Sequence, residues 1–254
     1  MARRESSRPG APCWVDLLTS DPEGADHFYA HLFGWEPKRS GDAHAGYTVF
    51  VHKGEAVAGA MGNSAESGYP DRWSVFLETG DAARTADSAA QHGGAVLRPA
   101  EKLGDVGSMS LLEDPGRSLV GAWQPGAHKG FGLIGEAGSP CWFELRSPEF
   151  DAALRFYEDV FGWDTHFFSA PPDVRYSTLG EGGSGMAGVM DVGREPPEST
   201  GWTVYFGVSD VDSALAAAES LGGSVAQPAE DSPHGKLAQV ADPTGALFRI
   251  VGAR

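Results

Sequence analysis

Pro12–Trp35 reads PCWVDLLTSDPEGADHFYAHLFGW and Pro140–Trp163 reads PCWFELRSPEFDAALRFYEDVFGW. The two 24-residue stretches are identical at ten positions and lie 128 residues apart. Each opens with apolar and polar residues alternating at period two, which predicts a strand over Cys13–Leu18 and over Cys141–Arg146. Each then changes to helical spacing. In the first copy Ala25, Phe28, Tyr29 and Leu32 fall on one face, acidic residues open the helix and Gly34 stops it.

The repetition runs on. Arg72–Leu77 answers Gly201–Phe206, Asp81–Gly94 answers Asp210–Gly223, Pro99-Ala100-Glu101 answers Pro228-Ala229-Glu230, and Asp114-Pro115 answers Asp242-Pro243. A period this long is a duplicated module, not a solenoid repeat. Two or three strands are expected after each first helix, near 47–53 and 56–62, or 176–179 and 185–192. A strand from Trp73, a helix over Ala82–His92 closed by Gly93-Gly94, and strands near 108–113 and 118–123 complete the first copy. The second copy matches it with a strand over Trp202–Val208, a helix over Val211–Leu221 and strands over Lys236–Val240 and Leu247–Val251. The chain therefore reads as four β-α-β-β-β units, two per module. The expected boundaries are a disordered arm over 1–10, modules over 11–124 and 139–254, and a glycine-rich linker over 125–138.

A chain of 254 residues with 41% hydrophobic content can build a substantial core. Its net charge of -16 argues against nucleic acid and anionic membranes as partners, because nothing offsets phosphate repulsion. No apolar run has the length of a membrane span, and no apolar stretch follows MARRESSRPG. Cys13 and Cys141 hold equivalent places, and the sequence leaves open whether they approach each other. A reduced, cytoplasmic protein is expected, as a monomer or homodimer.

The FYxxxFGW pattern after the first helix, the paired glycines after the second and the Asp-Pro turn before the last strand resemble the vicinal oxygen chelate superfamily. This group holds glyoxalase I, bleomycin-resistance proteins and extradiol dioxygenases. The opening P-C-W-[VF]-[DE]-L is most similar to its two-module, glyoxalase-like actinobacterial branch. The resemblance covers about Pro12 to Val251. It implies an α+β fold in which tandem βαβββ modules curl mixed sheets around a cup-shaped cavity. It also implies a divalent metal held by His, His and Glu from first, fifth and last strands. Counted from the shared landmarks, those positions fall on Trp14, Ser74 and Gly121, and on Trp142, Thr203 and Arg249. None is a suitable ligand, so no metal and no other cofactor is expected. His27 and His31, spaced i, i+4, lack the acidic residue of a zinc helix and read as solvated.

Alternation directs Val15 and Leu17 toward a helix, together with Cys13 and Cys141, so a catalytic thiol is not expected. Trp14 and Asp16, with Trp142 and Glu144, then face the cup. Ser74, Phe76, Thr203, Tyr205, Trp123 and Arg249 join them. Aromatic walls with a few polar groups suit a planar aromatic molecule, such as a natural product or antibiotic. The tryptophans alternatively plug an unused cup, and the acids alternatively lie solvated or pair with Arg249 or another base. The expected function is metal-independent capture of that molecule for sequestration, self-resistance or service to a biosynthetic partner enzyme, with the acidic surface favouring cationic ligands. The alternative is a metal-free isomerase, cyclase or hydroxylase-like enzyme on a polyketide-like substrate, with Asp16 or Glu144 as base. A metal-dependent lyase or dioxygenase is disfavoured by the missing ligands. The glycine runs 104–107 and 182–185 do not stand between a strand and a helix, and read as turns or lids rather than phosphate cradles.

Overall fold

The computed structural model describes residues 7–40, 46–167, 174–181, 186–193, 200–232 and 235–252. The glycine run 182–185, His44 and His234 lie outside the described residues. The first module holds β1 (Pro12–Thr19), α1 (Pro22–Phe33), β2 (Glu36–Arg39), β3 (Thr48–His52), β4 (Glu55–Gly62), β5 (Arg72–Glu78), α2 (Ala82–Gln91), β6 (Ala95–Leu103), β7 (Gly107–Glu113) and β8 (Leu119–Pro125). The second holds β9 (Pro140–Ser147), α3 (Phe150–Phe161), β10 (Thr165–Phe167), β11 (Tyr176–Leu179), β12 (Ala187–Asp191), β13 (Gly201–Val208), α4 (Val211–Ser220), β14 (Ser224–Ser232), β15 (Gly235–Ala241) and β16 (Leu247–Gly252). No helix among these residues is long and apolar enough to cross a membrane.

Each module is one eight-stranded mixed sheet, ordered β2-β3-β4-β1-β5-β8-β7-β6 and β10-β11-β12-β9-β13-β16-β15-β14. The first strand of each unit pairs in parallel with that unit's last, and the two units of a module join antiparallel through β1 and β5, or β9 and β13. The expected α+β architecture of tandem βαβββ modules is the one observed. Every unit has three strands after its helix, where the sequence resolves two or three. The unforeseen ones, β2, β6, β10 and β14, lie at sheet edges. β2 is exposed along its length, while β6 and β14 carry Pro99 and Pro228 and shift register midway. Edge strands carry charge and proline to discourage further pairing, and this erases the alternation that marks a strand.

Helix boundaries follow local chemistry. Asp21 caps α1 by accepting from the Gly24 amide at 3.0 Å, Pro22 sits in the first turn, and Gly34 ends the helix at φ +71°. Gly162 ends α3 in the same way at φ +69°.

The repeated landmark motifs lock the modules together. The Tyr29 hydroxyl donates to Asp242 at 3.0 Å and accepts from the Trp73 indole at 3.1 Å. Reciprocally, the Tyr157 hydroxyl donates to Asp114 at 3.1 Å and accepts from the Trp202 indole at 2.9 Å. The Trp35 indole donates to the Gly138 carbonyl and the Trp163 indole to the Gly10 carbonyl, both at 2.7 Å. Phe33 packs on Phe206 with ring centroids 5.1 Å apart. A Cβ at Gly94 would lie 2.6 Å from the Phe156 ring, and one at Gly223 would lie 3.0 Å from the Phe28 ring. The paired glycines thus admit a phenylalanine from the other module. The contact is isologous, like that of a two-fold dimer. Burial raises the Asp114 pKa to about 6.

The segment between β8 and β9 is packed: Phe131 and Leu133 are buried, and the Phe131 ring stacks on Phe143 at 5.6 Å. The arm expected over 1–10 needs correction at its far end. Ser7 and Gly10 are buried, and Gly10 holds both Trp163 and the Glu78 carbonyl, which a disordered arm would not do.

Candidate ligand-binding site

The strand β9 sends Trp142, Glu144 and Arg146 to one face. Sheet register sets Glu144 against Thr203 and Gly188, Trp142 against Tyr205, and Tyr205 beside Arg249. The Glu144 carboxylate accepts from the Tyr176 hydroxyl at 3.1 Å and from the Tyr205 hydroxyl at 3.0 Å. The Trp142 indole donates to the Tyr176 hydroxyl at 3.1 Å. Arg146 stands 3.8 Å from Glu144. Burial first, and the neighbouring carboxylate second, hold both phenols protonated far above the ordinary tyrosine value. Gly188 leaves room for this arrangement, since a Cβ there would stand 1.9 Å from the Tyr176 hydroxyl.

Around this group lies a cavity of about 640 Å³. Glu144, Arg146, Tyr176, Tyr205 and Arg249 line it, with Met190 and Leu237 supplying apolar wall. Of the residues selected from sequence, Glu144, Tyr205 and Arg249 meet in this cavity. Trp142 and Thr203 stand beside them in the sheet but are not among the lining residues. Arg249 does not pair with Glu144. It donates to the Gln227 amide oxygen at 2.9 Å and lies 5.6 Å above the Tyr205 ring.

The first module repeats the triad with a different surround. The Trp14 indole donates to Asp16 at 2.9 Å and to the Tyr47 hydroxyl at 2.8 Å, and that hydroxyl donates to Asp16 at 2.5 Å. Burial raises the pKa of half-buried Asp16 to about 6, against the opposing hydrogen bonds from Tyr47 and Trp14. Ser74 faces Asp16 across the strands and Phe76 faces Trp14. The space beside Trp14 is taken by the connecting segment. The His128 ring meets Trp14 edge-on at 4.3 Å, and Phe131 approaches it at 5.5 Å. Trp123 packs on His128 at 5.5 Å and donates to its carbonyl. Burial lowers the His128 pKa to about 4, and its Nε2 is buried without a partner among the described residues. Trp14 is 3% exposed, so the indole is packed, whereas Trp142 is half-buried.

Alternation along β9, carried one step further, reaches Arg146, and the internal repeat aligns Tyr47 with Tyr176. These signals could have found three residues that the sequence selection omitted. His128 carries no such signal, because nothing in an unpatterned segment says where it lands. Cys13 and Cys141 form no disulfide, and each thiol donates to a carbonyl of the neighbouring strand, on Phe76 and Tyr205. Burial pushes the Cys141 thiol up to about 12, which removes thiolate reactivity. His27 and His31 are exposed on α1, and His31 turns back to the His27 carbonyl.

The three positions where the resemblance places metal ligands do come together, but with the wrong chemistry. An indole N–H donates only, a guanidinium repels a cation, and Gly121 offers no side chain. Among the described residues no three His, Cys, Asp or Glu side chains gather in a metal-binding cluster. This donor set does not fit a divalent metal.

A family model described as the Glyoxalase/Bleomycin resistance protein/Dioxygenase superfamily matches residues 13–121 and 141–250. The chain belongs to this superfamily. Within it, the chain is 36% identical over 261 residues to the putative glyoxylase CFP32 of Mycobacterium tuberculosis, covering 99% of this chain and 98% of that protein. It is 32% identical over 266 residues to the anthracycline biosynthesis protein DnrV of Streptomyces peucetius, covering 97% and 94%. Among solved structures, the Mn(II)-bound glyoxalase from Novosphingobium aromaticivorans superposes with a TM-score of 0.66 at 14% identity, over 98% of this chain and 84% of that one. A catechol 2,3-dioxygenase superposes at 0.62 and 12% identity, over 98% and 94%. At such identities the likeness is one of fold.

Proposed function

We propose that the second module captures a planar aromatic small molecule without a metal, for sequestration, self-resistance or delivery to a biosynthetic partner enzyme. One observation carries the reading: a cavity of about 640 Å³ in which Tyr176, Tyr205, Met190 and Leu237 provide apolar contact and a few buried polar groups provide orientation. Its volume falls in the range of small-molecule pockets, roughly 300–1,000 Å³. The relatives named for anthracycline biosynthesis support a fused-ring aromatic as occupant. The tryptophans, hydroxyls, glycine and arginine at the ligand positions support metal independence. A cytoplasmic monomer or homodimer, with both thiols reduced, belongs to the same proposal.

Titration of the full chain with an anthraquinone, read by tryptophan fluorescence and calorimetry, tests it. Saturable binding at micromolar ligand, one molecule per chain, is the expected result. A stoichiometric transition metal whose removal abolishes binding would overturn the metal-free reading.

The position of Glu144 favours a second reading, a metal-free isomerase, cyclase or hydroxylase-like enzyme with this carboxylate as base. Both its oxygens already accept from phenols, while Asp16, with the raised proton affinity, sits in the other cup. Turnover of a polyketide-like aromatic that vanishes in Glu144→Gln, with binding retained, would establish catalysis.

A further inference from the structure

We infer that the molecule held in the second cup carries an anionic oxygen, a carboxylate or ionised phenol on its aromatic ring system, and that Arg249 receives it. The inference rests on the capture reading and names the class of ligand. Arg249 is more than nine-tenths buried, yet its partners among the described residues are both neutral, the Gln227 amide oxygen and the Tyr205 ring. Its Nε is buried and meets no acceptor there. A buried guanidinium with an unused donor is costly unless an anion joins it. Glu144 does not serve, because its oxygens accept from Tyr176 and Tyr205 and its nearest cation is Arg146, at 3.8 Å. A guanidinium carries more N–H donors than the Gln227 oxygen uses, and groups of this kind recognise the oxygens of a carboxylate or a hydroxyquinone.

The first cup shows that the feature is specific. Gly121 stands where Arg249 stands, and a Cβ there would lie 2.0 Å from the Phe76 ring. Phe76 in turn replaces Tyr205. The net charge of -16 points to cationic ligands, but the cavity lining is balanced, with Glu144 and Glu230 against Arg146 and Arg249, and only Arg249 has neutral partners alone among the described residues. Fields at a recognition site are set by the groups that line it, within a Debye length of about 10 Å.

The test uses four probes on the full chain: anthraquinone-2-carboxylate, ionised alizarin, anthraquinone-2-carboxamide and an aminomethyl-anthraquinone cation. The two anions should bind about tenfold or more tightly than the carboxamide, as a charge-assisted hydrogen bond predicts. Arg249→Met should erase that preference, so that carboxylate and carboxamide bind the variant with equal Kd. Equal binding of carboxylate and carboxamide by the wild type, or a preference that survives in Arg249→Met, overturns the role of Arg249 and leaves aromatic capture standing. Failure of all four probes to bind overturns aromatic capture, and this inference with it. Thermal unfolding without ligand supplies an independent arm. If the guanidinium awaits its anion, Arg249→Met and Arg249→Gln melt at or above the wild-type Tm. A drop of several degrees in both would show that the chain already satisfies Arg249, which overturns the inference.

Discussion

The two cups share a triad and differ in nearly everything around it. Trp14–Asp16–Tyr47 and Trp142–Glu144–Tyr176 both link indole to phenol to carboxylate, with a glycine of the neighbouring strand beneath each tyrosine, and Trp14 also donates directly to its acid. In the first cup His128 and Phe131 close on the tryptophan, and Phe76 covers Gly121. In the second, Tyr205 and Arg249 line open volume. The triad therefore belongs to the wall of the architecture. Under the proposed capture, ligand binding is decided by the residues on β13 and β16, and by whether the connecting segment folds in.

The largest effect should come from Trp14→Ala, which empties a packed indole site and should cost about 3–4 kcal/mol in urea unfolding. Probe affinity should stay unchanged. Trp142→Ala, at a half-buried position, should cost less than half of that. Equal costs would break the contrast between a filled and an open cup. Next, Gly121→Arg places the second cup's residue into the first. The Phe76 ring has to move, and the loss should be about 3 kcal/mol. A fully stable Gly121→Arg that gained a second ligand per chain would show the first cup to be latent. Tyr205→Ala should weaken an aromatic probe about tenfold, whereas Phe76→Ala should leave its Kd alone; both are read by fluorescence titration.

The smallest effect is on pH dependence. The Asp16 pKa is raised to about 6 in the folded chain, above its ordinary value of 3.8. The folded state then binds more protons than the unfolded state between those values, so this group's penalty fades as pH falls. Lowering pH from 7 to 5 should add about 1 kcal/mol through this group, and the gain should be missing in Asp16→Asn. An identical pH slope in both proteins would show that folding leaves the proton affinity of Asp16 unchanged.

The fold was legible because duplication doubles every signal. A motif such as FYxxxFGW is weak once and strong when it returns 128 residues later in the same order. The edge strands escaped because their proline and charge suppress the alternation that reveals a strand. Alternation alone also located Glu144, Tyr205 and Arg249, since the face of a strand is fixed by parity. It did not separate an open cup from a filled one. That difference rests on His128, brought to Trp14 by a segment without regular structure, and on Tyr176, which reaches Glu144 from a strand two places away in the sheet. Contacts between elements remote in sequence leave no local period to read.

The reciprocal bonds from Tyr29 to Asp242 and from Tyr157 to Asp114 give one chain the internal symmetry of a two-fold dimer with its halves sewn together. Tethering keeps the opposite module at high effective concentration, so the assembly survives dilution that would dissociate a pair of unlinked halves. It also lifts a constraint. Two identical subunits must furnish identical cups, because every substitution appears twice. Once fused, the halves are free to drift apart, so that one cup is filled by packing while the other keeps open volume.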